Sequence, residues 1–509
     1  MARRFRAGRE WAGQVVDEGI ASGILQEVPP VRFLDATTTL LYDHPRPVFP
    51  YLRQIRAVAR WQPFDTSTPE GRSDERYRRI VLTTTTSMAV RAAGVVAGLI
   101  TVPLLLGYLG KERYGLWTAI TTVVTWATLF DFGLSNGLLN LVASAHGRED
   151  RQAARGYFST AFLVLSLVAA MLLGVAALAI PAIPWSDLLG VQGVVDDATV
   201  RWSVAAAVAA LVIGLPLATV PQLYAGYQKT YVANAFALVG SLVGLAALVV
   251  AVLLRAPMPV LVLCLSLAGV APAALALAFA RKALPWIQIR TRHVSRQALR
   301  ALTERSVPIF LFQLGALAVN ETQVLILARR SGLSVVADYA IALRLYLVTV
   351  SLIQLGTASF VPPIREAFER GDHAWAIRAF RHLRVLRLSF AAAGGLGLVL
   401  LGNLVLRVWL RRADVAFGWQ VWGALGVLLL ASVWSTVYVE LLWIMDRFWP
   451  LVGLVLVNGT VTIALTWWLA PSHGVLGAVV ASAAFTLLAS SWIVPLLAAP
   501  LLVSRSEPG

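Results

Sequence analysis

The sequence predicts an all-α polytopic membrane protein, with about twelve transmembrane helices in two six-helix lobes and a non-membrane segment before them. Of the 509 residues, 58% are hydrophobic and only 14% are charged, whereas soluble domains carry about 25% charged residues. The apolar residues also occur in long blocks, which are typical of spanning helices and not of the short alternating strands of an outer-membrane barrel. The composition therefore excludes a soluble globular enzyme and a disordered chain.

Residues 1–80 form the first compositional unit and are rich in arginine. They lack the apolar core that defines a secretory signal. One interpretation is a disordered cytoplasmic tail, and another is translated sequence upstream of a start at Met88. A third is a short amphipathic helix on the membrane surface over residues 11–25. The three interpretations stay open at this point.

From Val81 onward, apolar blocks alternate with short polar loops. Each block is long enough for a helix of about 20 residues, which crosses a bilayer core of roughly 30 Å. Because backbone groups in lipid must be hydrogen-bonded internally, we expect each block to be helical. The twelve blocks are 81–109, 116–141, 157–180, 202–223, 232–254, 260–280, 308–327, 335–361, 388–406, 421–445, 450–470 and 475–502.

The blocks divide into two sets of six, which predict an N-terminal lobe over 81–281 and a C-terminal lobe over 306–503. Residues 282–305 are predicted to form a cytoplasmic loop between the lobes, and residues 504–509 a short tail.

A weak internal repeat supports this division. Gly110 precedes the second block as Gly332 precedes the eighth, and the second block is followed by Gly147-Arg-Glu-Asp150 as the eighth is by Arg370-Gly-Asp372. An even number of helices gives both halves the same orientation, so we expect parallel repeats with a site between them.

The net charge of +16 follows the predicted topology. Arginines are concentrated before the first block and in the loops near residues 148–155, 281–305 and 365–387. The loop from Pro181 to Val200, by contrast, carries no Lys or Arg. Because cytoplasmic loops are rich in Lys and Arg, we expect both termini in the cytoplasm. The charge is therefore not evidence for a nucleic-acid partner.

The sequence predicts neither a metal nor a cofactor. Cys264 is the only cysteine, which excludes an intramolecular disulfide and a cysteine-based metal site. The six histidines are scattered, and no two of them have the spacing of metal ligands.

Polar residues inside the blocks are the candidates for function. A charge at bilayer depth costs at least about 2.5–3.5 kcal/mol, so such residues are functional candidates by default. Glu440 lies near the inner end of the tenth block, where water can solvate it. The other candidates are Arg91, Asp131, Asn320, Glu321 and Arg344.

Arg91 and Arg344 fall near the membrane midplane, one in each half. Arginine is always charged and its planar fork matches phosphate oxygens, so the pair is a candidate binding site for an anionic headgroup. The alternative is structural pairing of Arg91 with Asp131 and of Arg344 with Glu321. A third possibility is that both arrangements occur in alternate states.

The second block also contains Gly133-x-x-x-Gly137. Small residues at this spacing are typical of a close helix–helix contact, so we expect this face to pack against a neighbour. Asp131 falls roughly on the opposite side of the helix, which leaves it free to face a cavity.

Two stretches carry a resemblance to a known family: Leu109-Gly-Lys-Glu-Arg-Tyr-Gly-Leu-Trp117 and Leu129-Phe-Asp-Phe-Gly-Leu-Ser135. They resemble the bacterial polysaccharide transporters, the O-antigen and exopolysaccharide flippases of the multidrug/oligosaccharidyl-lipid/polysaccharide exporter superfamily. Tyr224-Ala-Gly-Tyr-Gln228 and Arg370-Gly-Asp372 agree with it, although the first departs from the family's usual Gly-x-Gln ending. The resemblance covers about residues 81–503.

The resemblance implies two six-helix lobes around a central cavity, and translocation of an undecaprenyl-diphosphate-linked oligosaccharide between leaflets by alternating access. By analogy, Arg91 and Arg344 would bind the diphosphate, and Asp131, Asn320 and Glu321 would serve gating or ion coupling. Partners would be the lipid-linked substrate, membrane lipids, and a polymerase or other polysaccharide-assembly proteins.

Two alternative functions stay open. A drug/cation antiporter of the same superfamily would have a more acidic cavity, whereas the two midplane charges here are positive. A membrane glycosyltransferase or ligase would need carboxylates on a sizeable outer loop, and the longest outer loop has about twenty residues.

Overall fold

The computed structural model describes residues 64–65, 68–188, 195–284, 286–357, 360–369, 371–411, 415–445, 447 and 449–502. The expectations for residues 1–63 and 504–509 lie outside these ranges. Within the described ranges every regular element is a helix, which confirms the predicted fold class. The chain divides into two compact units, Met1–Arg78 and Arg79–Gly509.

The helices of the N-terminal half correspond to the first six apolar blocks. Apart from a single helical turn over Trp185–Leu188, they are in chain order α1 (Pro69–Leu109), α2 (Lys111–Ala127), α3 (Leu134–Gly147), α4 (Arg151–Ala182), α5 (Asp197–Leu217), α6 (Thr219–Gly226), α7 (Thr230–Leu253) and α8 (Met258–Ala283).

The helices of the C-terminal half correspond to the last six blocks. They are α9 (Arg296–Asn320), α10 (Thr322–Arg330), α11 (Leu333–Thr357), α12 (Val361–Glu369), α13 (His373–Leu410), α14 (Trp419–Ile444), α15 (Trp449–Phe485) and α16 (Ser491–Leu502), the last two joined by a π-helical turn.

The first helix begins at Pro69, well before the predicted start at residue 81. Proline is favoured at a helix start because its missing N–H has no partner there. Glu75 and Arg78 in the first turns form a buried ion pair of 2.7 Å. Residues 69–80 are therefore helical and not a disordered tail. Since 41 residues give a helix of about 60 Å, α1 is longer than a bilayer core needs.

Ten segments of the described chain are long and apolar enough to cross a membrane. The last covers Trp449–Leu502, 54 residues, which is about 80 Å of helix and enough for two crossings. Gly474 interrupts it with φ 51° and ψ −122°, between the predicted eleventh and twelfth blocks. The second predicted block does not appear among the ten because it is interrupted.

The prediction of one continuous helix over 116–141 is wrong. After α2 the chain makes a single 3₁₀ turn over Thr128–Asp131. Phe132 and Gly133 then have φ of 50° and 71°, left-handed values that a right-handed helix cannot contain. The break places Asp131 at the junction of two helices.

Two predicted loops are shorter than expected. Within the predicted inter-lobe loop, the Ser295 side chain accepts a hydrogen bond from the Ala298 backbone N–H, and α9 begins there. Likewise α13 begins at His373, before the predicted start at residue 388. Helix therefore covers several arginines that the sequence places in loops.

The predicted internal repeat recurs in backbone geometry. Gly110 before α2 and Gly332 before α11 both have positive φ, 78° and 90°. Asp150 and Asp372 both cap the next long helix through a side-chain hydrogen bond. The spacing from glycine to aspartate is the same in both halves, so the two halves share a register.

The two halves meet along a seam in which α2 packs against α10 and α11, and α3 and α4 pack against α9. At this seam Arg344 of α11 also lies against Gly98 of α1. One apolar core contains residues from both halves, among them Leu105, Leu116, Leu327 and Ile341. Gly115 lies directly against the Leu333 carbonyl, with no room for a side chain. This seam positions the predicted site residues.

Candidate functional site

Arg344 lies on α11 in the seam between the halves. Its Nη2 donates a hydrogen bond of 3.2 Å to the Gly94 carbonyl on α1. Its Nε is buried without a hydrogen-bond partner. A guanidinium has five N–H donors, and this is the one hydrogen bond that Arg344 makes with the described chain. Arg344 is thus a partly buried cation, and most of its donors have no partner in the described chain.

The seam accommodates Arg344 because α1 carries glycine there. A Cβ at Gly98 would overlap the Arg344 guanidinium, whereas a Cβ at Gly94 would meet nothing within 4 Å. The two glycines therefore have different roles although they lie one turn apart.

The Gly98→Ala variant tests this geometry. The added methyl group must displace the guanidinium, so we expect the translocation that the family resemblance implies to fall about tenfold, as one charge-assisted hydrogen bond is worth about 1.5–3 kcal/mol. Gly94→Ala is the matched control, and its transport is expected to be unchanged. Both variants gain about 0.5–1 kcal/mol of helix propensity, so thermal unfolding separates loss of function from misfolding. Equal transport by the two variants would contradict the assignment.

Arg91 lies on the same face of α1 that receives Arg344. At 100° per residue, positions 91, 94 and 98 fall within an arc of about 60°. Arg91 is exposed and makes no hydrogen bond or ion pair with the described residues. The structure therefore brings the two predicted substrate-binding arginines to neighbouring levels of one surface.

Asn320 and Glu321 lie at a break in the seventh block, between α9 and α10. The Glu321 Oε2 accepts a hydrogen bond of 3.3 Å from the Thr122 hydroxyl on α2. Counted from the equivalent glycines Gly110 and Gly332, Thr122 and Arg344 occupy equivalent positions in the two halves. Each makes a polar contact across the seam, Thr122 to the seventh block and Arg344 to the first.

Asp131 lines a cavity of about 600 Å³ between the interrupted second block, α5, α8 and α9. Its carboxylate accepts from the Ser135 backbone N–H at 3.2 Å and from the Ser135 hydroxyl at 2.9 Å. Gln313 on α9 lines the same cavity. Asp131 faces a cavity, as the sequence predicts.

The predicted packing face beside Asp131 is also present. A Cβ at Gly133 would come close to the Ser306 carbonyl, and a Cβ at Gly137 would meet the Ser306 hydroxyl. The Gly-x-x-x-Gly face therefore packs against α9, so the second block contacts the C-terminal half along both α2 and α3.

The alternative of structural ion pairing is not found. Asp131 binds Ser135, Glu321 binds Thr122, and Arg344 binds a backbone carbonyl. Among the described residues, neither Arg91 nor Arg344 forms an ion pair. The two cations are therefore not neutralised by the two carboxylates in this conformation.

Further polar contacts join the halves at the end of the seam that the sequence predicts to face outward. Lys111 Nζ lies 2.9 Å from the Asp338 carboxylate, and the Trp409 indole donates to the Leu99 carbonyl at 2.7 Å. The seam is closed at this end.

Sequence reasoning missed a buried polar cluster in the C-terminal half. The Gln323 amide donates to the Ala478 carbonyl at 2.9 Å and to the Ser482 hydroxyl at 2.8 Å, and Tyr339 donates to its carbonyl oxygen. Gln323 and Ser482 line a cavity of about 230 Å³ that also contains Asn320. The sequence feature that could have revealed this cluster is Gln323, a glutamine inside the seventh apolar block.

Glu440 is not simply solvated. Its Oε2 lies 2.7 Å from Arg387 Nη1, and the Arg387 side chain is only 5% exposed. Arg387 also donates to the Thr357 hydroxyl at 2.9 Å. The sequence places Arg387 in a loop, whereas it is a buried residue of α13.

The arrangement can bind an anion between the halves. Arg344 offers a partly buried guanidinium, whose planar fork matches phosphate oxygens. Arg91 adds a second positive charge on the same face. Among the described residues, the Asp131 and Glu321 carboxylates accept hydrogen bonds from Ser135 and Thr122 and form no ion pair with either arginine.

Comparison with known proteins identifies the family. A family model described as polysaccharide biosynthesis protein matches residues 82–368, more than half of the chain. A search of curated proteins finds no match.

Solved structures share the fold. A multidrug resistance MATE family transporter of the MOP superfamily, inward-facing, has a TM-score of 0.63 at 14% identity, covering 82% of this chain and 100% of that chain. The lipid II flippase MurJ, inward closed, has a TM-score of 0.63 at 12% identity, covering 82% and 87%. A MOP superfamily transporter from Pyrococcus furiosus has a TM-score of 0.55 at 13% identity, covering 83% and 96%. With the fold of multi-pass transporters and flippases and the family model over most of its helices, the chain belongs to the polysaccharide biosynthesis protein family.

Proposed function

We propose that this protein translocates a polyprenyl-diphosphate-linked oligosaccharide from the inner to the outer leaflet of the bacterial cytoplasmic membrane, with both termini in the cytoplasm. The observation that carries the proposal is Arg344, a cation in the seam that makes a single hydrogen bond and has no carboxylate partner among the described residues. A diphosphate supplies the anionic oxygens that such a group binds best.

The closed seam fits alternating access. The Arg344–Gly94 hydrogen bond and the Lys111–Asp338 ion pair both cross between the halves. While this end is closed, Arg344 binds the diphosphate from the inner leaflet and the glycan occupies the space between the halves. Separation of the halves at this end then breaks both contacts and releases the lipid-linked saccharide to the outer leaflet, and Asp131, Asn320 and Glu321 serve gating or ion coupling. A polymerase and other polysaccharide-assembly proteins would receive the product.

A drug/cation antiporter is the second candidate. The observation that favours it is Asp131, a carboxylate facing a largely apolar cavity of about 600 Å³ with no cationic partner in the described chain. Apolar walls with one carboxylate suit an organic cation. A membrane glycosyltransferase or ligase has no comparable observation in its favour.

Reconstitution into proteoliposomes separates the two candidates. The probes are a fluorescent polyprenyl-diphosphate-linked saccharide and ethidium, each assayed with the purified full-length chain. We expect the labelled saccharide to cross leaflets faster than in protein-free liposomes, with ethidium transport at background. Ethidium transport driven by an ion gradient, with saccharide movement at the protein-free rate, would establish the antiporter instead.

A further inference from the structure

A charged cleft lies on the C-terminal half, away from the seam, where α12 meets the first turns of α13. Its volume is about 450 Å³, and the proposed transport does not use it. Phe360 and Pro363 form one wall, and the other consists of residues on α13. The α13 residues that line it are Trp375, Arg378, Ala379 and His382.

The cleft contains a cation without a partner. The Arg378 side chain is exposed and forms no hydrogen bond or ion pair with the described chain. His382, one turn later, has its Nδ1 3.0 Å from the Arg378 carbonyl oxygen. The free guanidinium beside an imidazole is suited to bind a phosphate group.

The face of α13 that carries Arg378 continues into an apolar stripe. At 100° per residue, positions 378, 382, 385, 396 and 400 fall within an arc of about 60°. Val385, Leu396 and Leu400 are among the most exposed apolar side chains of the protein. Exposed apolar residues on a spanning helix face lipid chains, so Arg378 lies at one end of a lipid-facing stripe.

The depth of the cleft matches a headgroup layer. The rings of Phe380 on α13 and Tyr438 on α14 are 5.6 Å apart, so these two residues lie at the same depth along the helix bundle. Tyr438 lies about 9 Å before the end of α14 at Ile444. The cleft is therefore at the level where the apolar span of α14 ends. Trp375 is exposed there, as expected of an interfacial aromatic residue.

We propose that this cleft binds the phosphate of an anionic glycerophospholipid, whose acyl chains lie along the exposed stripe of α13. Arg378 holds the phosphate oxygens, His382 lines the cleft beside it, and Trp375 covers the headgroup. The cleft faces the surrounding lipid on the side of the C-terminal half, whereas Arg344 lies in the seam, so the bound lipid is a resident of the membrane and not the transported substrate.

Lipid binding to the full-length protein in detergent tests the proposal. The probe is a fluorescent phosphatidylglycerol, with a matched phosphatidylcholine and inorganic phosphate as the comparison ligands. We expect saturable binding of phosphatidylglycerol and weaker binding of phosphatidylcholine. Inorganic phosphate, added at the same concentration as the lipid, is expected not to compete with phosphatidylglycerol. Arg378→Gln is expected to weaken phosphatidylglycerol binding about tenfold, and His382→Gln to weaken it less.

Arg381→Gln is the matched control, because Arg381 is an exposed arginine of the same helix that does not line the cleft. Its affinity for phosphatidylglycerol is expected to equal that of the unmodified protein. Equal affinity of Arg378→Gln and Arg381→Gln for this lipid would overturn the proposal. So would equal binding of the two lipids, or displacement by inorganic phosphate, which would indicate a site for soluble phosphate. Thermal unfolding of each variant checks that the variant is folded when its lipid affinity is compared with that of the unmodified protein.

Discussion

A variant with alanine at both Arg91 and Arg344 is expected to translocate lipid-linked oligosaccharide at least about 100-fold more slowly than the unmodified protein. A bidentate guanidinium–phosphate contact makes two charge-assisted hydrogen bonds of about 1.5–3 kcal/mol each, and about 2.8 kcal/mol corresponds to a factor of 100. The measurements are the proteoliposome assay and complementation of a strain that lacks its polysaccharide flippase.

The same variant is expected to remain folded. Arg344 makes one hydrogen bond and has a buried Nε without a partner, so its removal also removes an unfavourable desolvated group. Arg91 is exposed. We therefore expect the free energy of unfolding to change by no more than about 1 kcal/mol, close to the range of surface substitutions.

Four further variants sharpen this test. Arg344→Ala alone is expected to have a larger effect than Arg91→Ala, because Arg344 is partly buried and fixed against α1. Arg344→Lys keeps the charge without the planar fork, so an intermediate rate is expected. Arg300→Ala removes an arginine of α9 that is 84% exposed and pairs only with Glu304 of its own helix in the described chain, and it should have no effect. Full complementation by the double variant would refute the role of the seam arginines.

Glu440→Gln is expected to destabilise the protein by about 3 kcal/mol. Arg387 is 5% exposed, and its charge is balanced by the Glu440 carboxylate. Removal of one partner of a buried ion pair costs about 3–5 kcal/mol because the other charge stays desolvated. The lower end applies here since the Glu440 side chain is 31% exposed. Chemical or thermal unfolding in detergent measures the loss.

A double variant separates charge balance from shape. Arg387→Met combined with Glu440→Gln leaves no buried charge, so the stability is expected to return close to that of the unmodified protein. Arg300→Gln breaks the exposed Arg300–Glu304 pair and should cost less than about 1 kcal/mol. If the Glu440→Gln variant unfolds at the same temperature or denaturant concentration as the unmodified protein, the Arg387–Glu440 pair does not stabilise the inner end of the C-terminal half.

The fold class and the internal repeat could be predicted because they depend on local properties of the chain. A run of apolar residues must be helical in lipid, whatever its neighbours are. The glycines at positions 110 and 332 and the aspartates at 150 and 372 act on the adjacent turn or helix end. The candidates Arg344 and Asp131 were found because a charge within an apolar run is conspicuous in the sequence.

The break of the second block and the role of Arg387 could not be predicted in the same way. Hydropathy does not reveal that two consecutive residues within an apolar run, Phe132 and Gly133, have a left-handed backbone conformation. Nor does it distinguish an arginine in a loop from Arg387, which is buried because α13 begins earlier and packs beside Glu440.

The sequence by itself determined that this chain is a bundle of membrane helices in two related halves, because hydrophobicity and helix capping act over a few neighbouring residues. Only the tertiary structure decided which group each intramembrane charge meets. Arg344 and the Gly94 carbonyl are 250 positions apart in the chain, and Thr122 and Glu321 are 199 apart. Contacts of this kind depend on how distant helices approach one another, and that packing arises from the whole set of helix surfaces together.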